Sequence, residues 1–67
     1  MIQILLLDDS NDKRESLKSV ILPLFPQGEI LIEEAFCLVD GREMLQTKTY
    51  DMLILDMVLP EHRGDQE

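Results

Sequence analysis

The segment YDMLILDMVLP, residues 50–60, constrains this chain more than any other: the unbroken apolar run Met52–Leu55 ends on one acid, Asp56, and reaches a proline at Pro60. An apolar run without polar alternation is the pattern of a parallel strand whose two faces are both covered by helices. A second such run near the N-terminus, Ile4–Leu7, ends on Asp8 and Asp9. Two strands that each deliver carboxylates at their carboxyl ends predict a single acidic site assembled from distant parts of the chain.

The segments between these runs change period. Residues 2–7, IQILLL, form the first predicted strand, and Asp8, Asp9 and Ser10 form its exit loop. Asp12 followed by Glu15 is a capping-box pattern for a first helix. Leu17, Val20, Ile21 and Leu24 recur at helical spacing and predict its buried face, with Lys13, Arg14, Lys18 and Ser19 pointing elsewhere. Pro23 and Pro26 stop the helix, because proline lacks the N–H and disfavours helix in the residue before it; Gln27 and Gly28 complete a turn. Glu29–Phe36 reads as a second strand, and its glutamates, Glu29, Glu33 and Glu34, place it at a sheet edge guarded by charge. Asp40, with Glu43 at the capping-box spacing, opens a short second helix that runs to about Thr47, and Lys48 and Thr49 lead into the third strand.

Alternating strands and helices give βαβαβ, an α/β fold with parallel strands and right-handed crossovers. With the first strand in the middle, the order is 2-1-3. The crossovers then leave in opposite directions, and the crevice beyond the carboxyl ends of strands one and three is the expected ligand site.

Asp8, Asp9 and Asp56 meet at that crevice. A lone acid at a strand end is ordinarily a solvated loop start, but a pair and a single acid on adjacent strands repel one another unless a cation or well-placed donors offset the charge. Oxygen ligands without histidine or cysteine suit Mg²⁺ or Mn²⁺, and Mg²⁺ takes few protein carboxylates while keeping waters that a substrate phosphate can replace. A carboxylate can also serve as the nucleophile of phosphoryl transfer, with the metal neutralising the phosphoryl oxygens. Competing sites lack their residues: DDSNDK after the first strand holds neither G-x-G-x-x-G nor a phosphate-binding P-loop. Val58 also stands where the D-x-D motif of haloacid-dehalogenase-type phosphatases has its second acid. His62 reads as a surface residue, and Phe25, Phe36 and Tyr50 as packing residues.

Composition narrows the partners. The chain holds 14 acids against 6 lysines and arginines, a formal charge of -8, which opposes nucleic acid and anionic membrane surfaces alike. A single cysteine, Cys37, forms no intramolecular disulfide and suits a reducing compartment. No apolar stretch approaches the ~20 residues of a membrane span, and no basic region precedes the first apolar run, so a cytoplasmic location is expected. Residues 1–67 fit one small domain, of a size that buries only roughly 60% of its unfolded surface and is marginal alone.

These residues resemble the N-terminal part of a bacterial response-regulator receiver domain. Asp8-Asp9 after ILLL is similar to the family's acidic pair, Asp40-Gly41 with Glu43 to its second-helix start, and YDMLILD to its phosphoacceptor strand. Asp56, Pro60 and Gly64 fall at the family's D-x₃-P-x₃-G spacing. The resemblance implies a flavodoxin-like fold, from which the strand order is taken, and a module of two-component phosphorelay signalling that is not itself an enzyme. It implies that Asp56 accepts a phosphoryl group from a histidine kinase or phosphotransfer protein. Asp9 and Asp56 would bind Mg²⁺ directly, Asp8 chiefly through water, and the Val58 backbone carbonyl would complete the protein ligands.

Receiver domains continue for two further strands and three helices, which supply a Ser/Thr and a lysine that contact the phosphoryl group. The lysines here are Lys13, Lys18 and Lys48 and the threonines are Thr47 and Thr49; all precede the third strand and fill neither role. The expectation is a truncated receiver, or a piece of a longer parent, in which one edge of the third strand is unpaired. Such an edge invites another strand, so a homo-oligomer or a complementing protein is expected there. The alternative function is a phosphorylation-independent interaction module.

Overall fold

The computed structural model describes residues 1–56. Three strands, β1 (Ile2–Leu7), β2 (Ile30–Ala35) and β3 (Met52–Leu55), alternate with two helices, α1 (Asn11–Ile21) and α2 (Leu38–Thr47). All pairing is parallel, as the alternation predicts, and the order is β2-β1-β3, the one that the resemblance implies. β1 and β3 have the bounds that their apolar runs mark, and β2 is one residue shorter at each end than expected.

β1 is bonded on both sides, with Leu5 opposite Glu33 of β2 and Leu53 of β3. Its residues Ile4, Leu5, Leu6 and Leu7 form most of the buried core. Alternation along the strand divides them between two faces. Leu5 and Leu7 join Ala35 on the α2 face, where Met44 and Tyr50 pack against them. α2 approaches β1 closely at Gly41: a Cβ there would lie 2.2 Å from Cδ2 of Leu7, so only a glycine fits without displacing that side chain.

β3 departs from the sequence expectation of a strand covered on both faces. Met52, Leu53 and Leu55 are about half exposed, because among the described residues β3 has only β1 as a neighbour and α2 packs over β1 and β2. β2 is the other edge, and its glutamates are partnered instead of serving only as solvated guards, as described below.

Both helix starts lie earlier than the capping-box spacings suggest. Ser10 caps α1, its Oγ accepting from the Lys13 N–H at 3.3 Å, so Asp12 sits inside the first turn. Cys37 is the N-cap of α2 and Asp40 again lies in the first turn, where its charge suits the helix dipole. The buried stripe of α1 also differs. Val20 is 64% exposed and Leu24 72%, while Arg14 is buried at 6%. Pro23 forces the chain into a single 3₁₀ turn, Leu22–Leu24, so Leu24 no longer follows the helical period, and the stripe that faces the sheet is Arg14, Leu17, Lys18 and Ile21.

Candidate functional site

The ladders on either side of β1 run one residue past the strands. The Asp8 N–H donates to Ala35 O at 3.2 Å, and the Asp56 N–H donates to Leu7 O at 2.9 Å. With Leu7 opposite Leu55 in the register, Asp8 and Asp56 leave the sheet side by side. Asp8 is buried, and its Oδ1 accepts from the Ser10 N–H at 2.9 Å, which folds the exit loop back and starts α1. Oxygens of the Asp8, Asp9 and Asp56 carboxylates all lie within 4.8 Å of one another.

This donor set fits a hard divalent cation. Two oxygens bound directly to Mg²⁺ are at most about 4.2 Å apart, given Mg–O distances of about 2.1 Å. The observed span therefore suits some direct ligation, with water carrying the remaining contact, and the set contains only oxygen donors. Val58, whose carbonyl was expected to join the ligands, lies outside the described residues, as do Pro60, His62 and Gly64.

Sequence reasoning missed a buried cation behind the site. Arg14 Nη1 donates to the Asp8 backbone carbonyl at 2.7 Å, Nε to Glu34 Oε1 at 2.8 Å and Nη2 to Asn11 Oδ1 at 3.2 Å. The guanidinium also stacks over the Phe36 ring, 4.0 Å from its centre. Lys18, one turn along the same stripe, bonds Glu34 at 3.0 Å and Glu15 at 2.8 Å. Lys18, and after it Arg14, hold the Glu34 carboxyl below the ordinary carboxylate range against the opposing effect of burial. Hydrogen bonds donated to Glu15 first and Glu34 second raise the Lys18 ammonium. The signal was present as Arg14, Leu17, Lys18 and Ile21 at helical spacing, but a stripe that mixes cations with aliphatics reads as core only when its acidic partner on another strand is known.

The opposite face of β2 carries a second polar cluster. Glu33 accepts from Lys48 and from the Tyr50 hydroxyl. These two bonds, Lys48's first, pull the Glu33 carboxyl down. Burial, and then the Glu33 carboxylate, push the Tyr50 hydroxyl up to about 12. This cluster lies by the start of β3, away from the three aspartates at the strands' carboxyl ends.

No family model, curated protein or solved structure matches the chain. Among the described residues no helix is long and apolar enough to cross a membrane.

Proposed function

We propose that the chain is the phosphoacceptor module of a receiver-like signalling protein, with Asp56 as the group that is phosphorylated. The observation that carries this reading is the convergence of Asp8, Asp9 and Asp56 within 4.8 Å at the carboxyl ends of a 2-1-3 parallel sheet. The metal ligands in this reading are Asp9 and Asp56, with Asp8 acting through water and the Val58 carbonyl beyond the described residues. Mg²⁺ or Mn²⁺ held there supplies positive charge against the phosphoryl oxygens.

An Asp56 carboxylate oxygen attacks the phosphorus of a phosphohistidine on a kinase or phosphotransfer protein. The new O–P bond forms as the P–N bond breaks, and the imidazole leaves with the bonding pair. Asp8, held by Ala35 O and Ser10 N, keeps the acidic pair facing Asp56. The protein is the recipient in this transfer and not an enzyme, and the reducing cytoplasm suits its single thiol.

Incubation with Mg²⁺ and acetyl phosphate, followed by intact mass, tests the reading. One added phosphoryl group is expected, lost in Asp56→Asn and in Asp9→Asn; an unmodified wild type, or an Asp56→Asn variant that still gains the group, overturns it.

The half-exposed Met52, Leu53 and Leu55 favour a second reading, in which the side of β3 that no strand pairs among the described residues takes up another copy or a complementing protein. If that surface acts independently of phosphorylation, association measured by light scattering is unchanged in Asp56→Asn and on chelation.

A further inference from the structure

We infer that Arg14 is the positioning residue of the acidic site, fixing the loop that carries Asp8 and Asp9 by holding the peptide between them. This rests on the reading of the three aspartates as a Mg²⁺ site.

The partners of the guanidinium come from separate parts of the fold. Glu34 lies on β2, Asn11 begins α1, Phe36 follows β2, and the Asp8 carbonyl belongs to the β1 exit loop. That carbonyl is part of the peptide group joining Asp8 to Asp9, so a donor at 2.7 Å fixes its plane and with it the directions in which both carboxylates leave the chain. The other side of the loop is tied by the Asp8 N–H to Ala35 O and by the Ser10 N–H to Asp8 Oδ1. A buried charge left unpaired is costly, and this one is paired, bonded and stacked in an arrangement that needs the planar fork of arginine. Lysine keeps the charge but presents a single point of donation.

A counter-charge role makes the opposite prediction. If Arg14 only offset three carboxylates, lysine would replace it, and loss of the charge would strengthen cation binding. A positioning role predicts that Arg14→Lys fails.

The experiment follows the Asp8 and Ser10 amides of the full chain by NMR, in wild type, Arg14→Lys and Lys18→Met. Lys18 bonds the same Glu34 but does not reach the loop, so its variant reports a purely structural loss on the same face. Without metal, Arg14→Lys is expected to speed exchange of both amides at least about tenfold relative to the Leu6 amide, and on Mg²⁺ titration to weaken binding about 10- to 100-fold. Lys18→Met changes neither by more than about twofold, the size of a part-exposed ion pair. Wild-type behaviour in Arg14→Lys, or an equal effect in Lys18→Met, overturns the inference.

If Arg14→Lys does not fold, Phe36→Leu removes the stacked ring and leaves every hydrogen-bond partner in place. It must then speed both exchanges about threefold, the worth of an exposed cation–π contact, and unchanged exchange overturns the inference. A wild type whose amides ignore millimolar Mg²⁺ refutes the metal site alone, because the metal-free exchange still decides the role of Arg14.

Discussion

β1 and β3 are near copies in sequence, each an aliphatic run ending on aspartate, yet one is the core and the other is half in solvent. Leu5 and Leu53 are direct partners across the ladder; Leu5 is 0% exposed and Leu53 45%. The difference comes from position in the sheet. β1 has strands on both sides, whereas β3 has one neighbour among the described residues, and α2 packs chiefly over β1 and β2. The two strands are alike only at their carboxyl ends, where continued ladder bonds bring Asp8 and Asp56 together. Thus the geometry of the acidic site depends on register, while most of the buried apolar core comes from β1.

The sharpest way to break this comparison is to cut the same side chain from each strand. Leu5→Ala removes a fully buried leucine and should cost about 2–5 kcal/mol, enough to abolish cooperative unfolding in a domain this small. Leu53→Ala, on its half-exposed partner, should cost less than about 1.5 kcal/mol, in proportion to the area it buries. Urea denaturation followed by circular dichroism reads both. Equal losses would mean that the outer strand is covered in solution, most simply by association, and the loss at Leu53 would then depend on protein concentration.

Next in size is the contact that seats α2 on β1. Gly41→Ala places a methyl 2.2 Å from Leu7 Cδ2 and should cost about 1–3 kcal/mol through overpacking, despite the better helix propensity of alanine. Gly41→Ala with Leu7→Val should recover part of the loss, because the smaller side chain makes room; two losses that simply add would show that the strand and helix are not in close contact.

Smaller again is the effect of metal. At 100 times its dissociation constant Mg²⁺ should stabilise the wild type by about 2.7 kcal/mol, if it binds the folded chain alone. Asp9→Asn should lose most of that gain. Thermal melts with and without Mg²⁺ measure it, and an equal gain in Asp9→Asn would place the ion elsewhere.

The contrast between the strands also marks what sequence can convey. The limits of β1 and β3 are legible in local pattern and the parallel pairing in the alternation of strands and helices, whereas the 2-1-3 order that brings Asp8, Asp9 and Asp56 together is what the resemblance to receiver domains implies. The exposure of Leu53 is not legible, since the same four residues read alike at the centre or edge of a sheet. Ser10 is not distinguishable as the cap in sequence, because Asp12 and Glu15 match the capping box, and the choice depends on how soon after β1 the loop can turn, which Asp8 Oδ1 decides by accepting from Ser10 N–H. In sequence Arg14 falls off the predicted buried face of α1, because burial of a charge depends on Glu34, Phe36 and the Asp8 carbonyl, which the helix's own period does not announce.

The smallest effect concerns the start of β3, where Tyr50 and Lys48 meet Glu33 of β2 across the sheet. Tyr50 is the only tyrosine and the chain has no tryptophan, so absorbance of the phenolate reports this group alone. Its hydroxyl, raised from 10.0 to about 12, favours the neutral form in the fold. The associated stability is complete below pH 10 and is lost as the pH climbs toward 12. Glu33 is shifted the other way, so its share is present above its ordinary value of 4.5 and disappears as the pH falls through its lower folded value. Solvent screens both groups, which keeps the energies small although the titration shift is readable. Glu33→Gln should move the tyrosine midpoint back toward its ordinary value while leaving the carboxyl-end aspartates untouched. A wild-type midpoint below pH ~11, with circular dichroism still native, would show that burial and Glu33 together do not hold the hydroxyl in its neutral form.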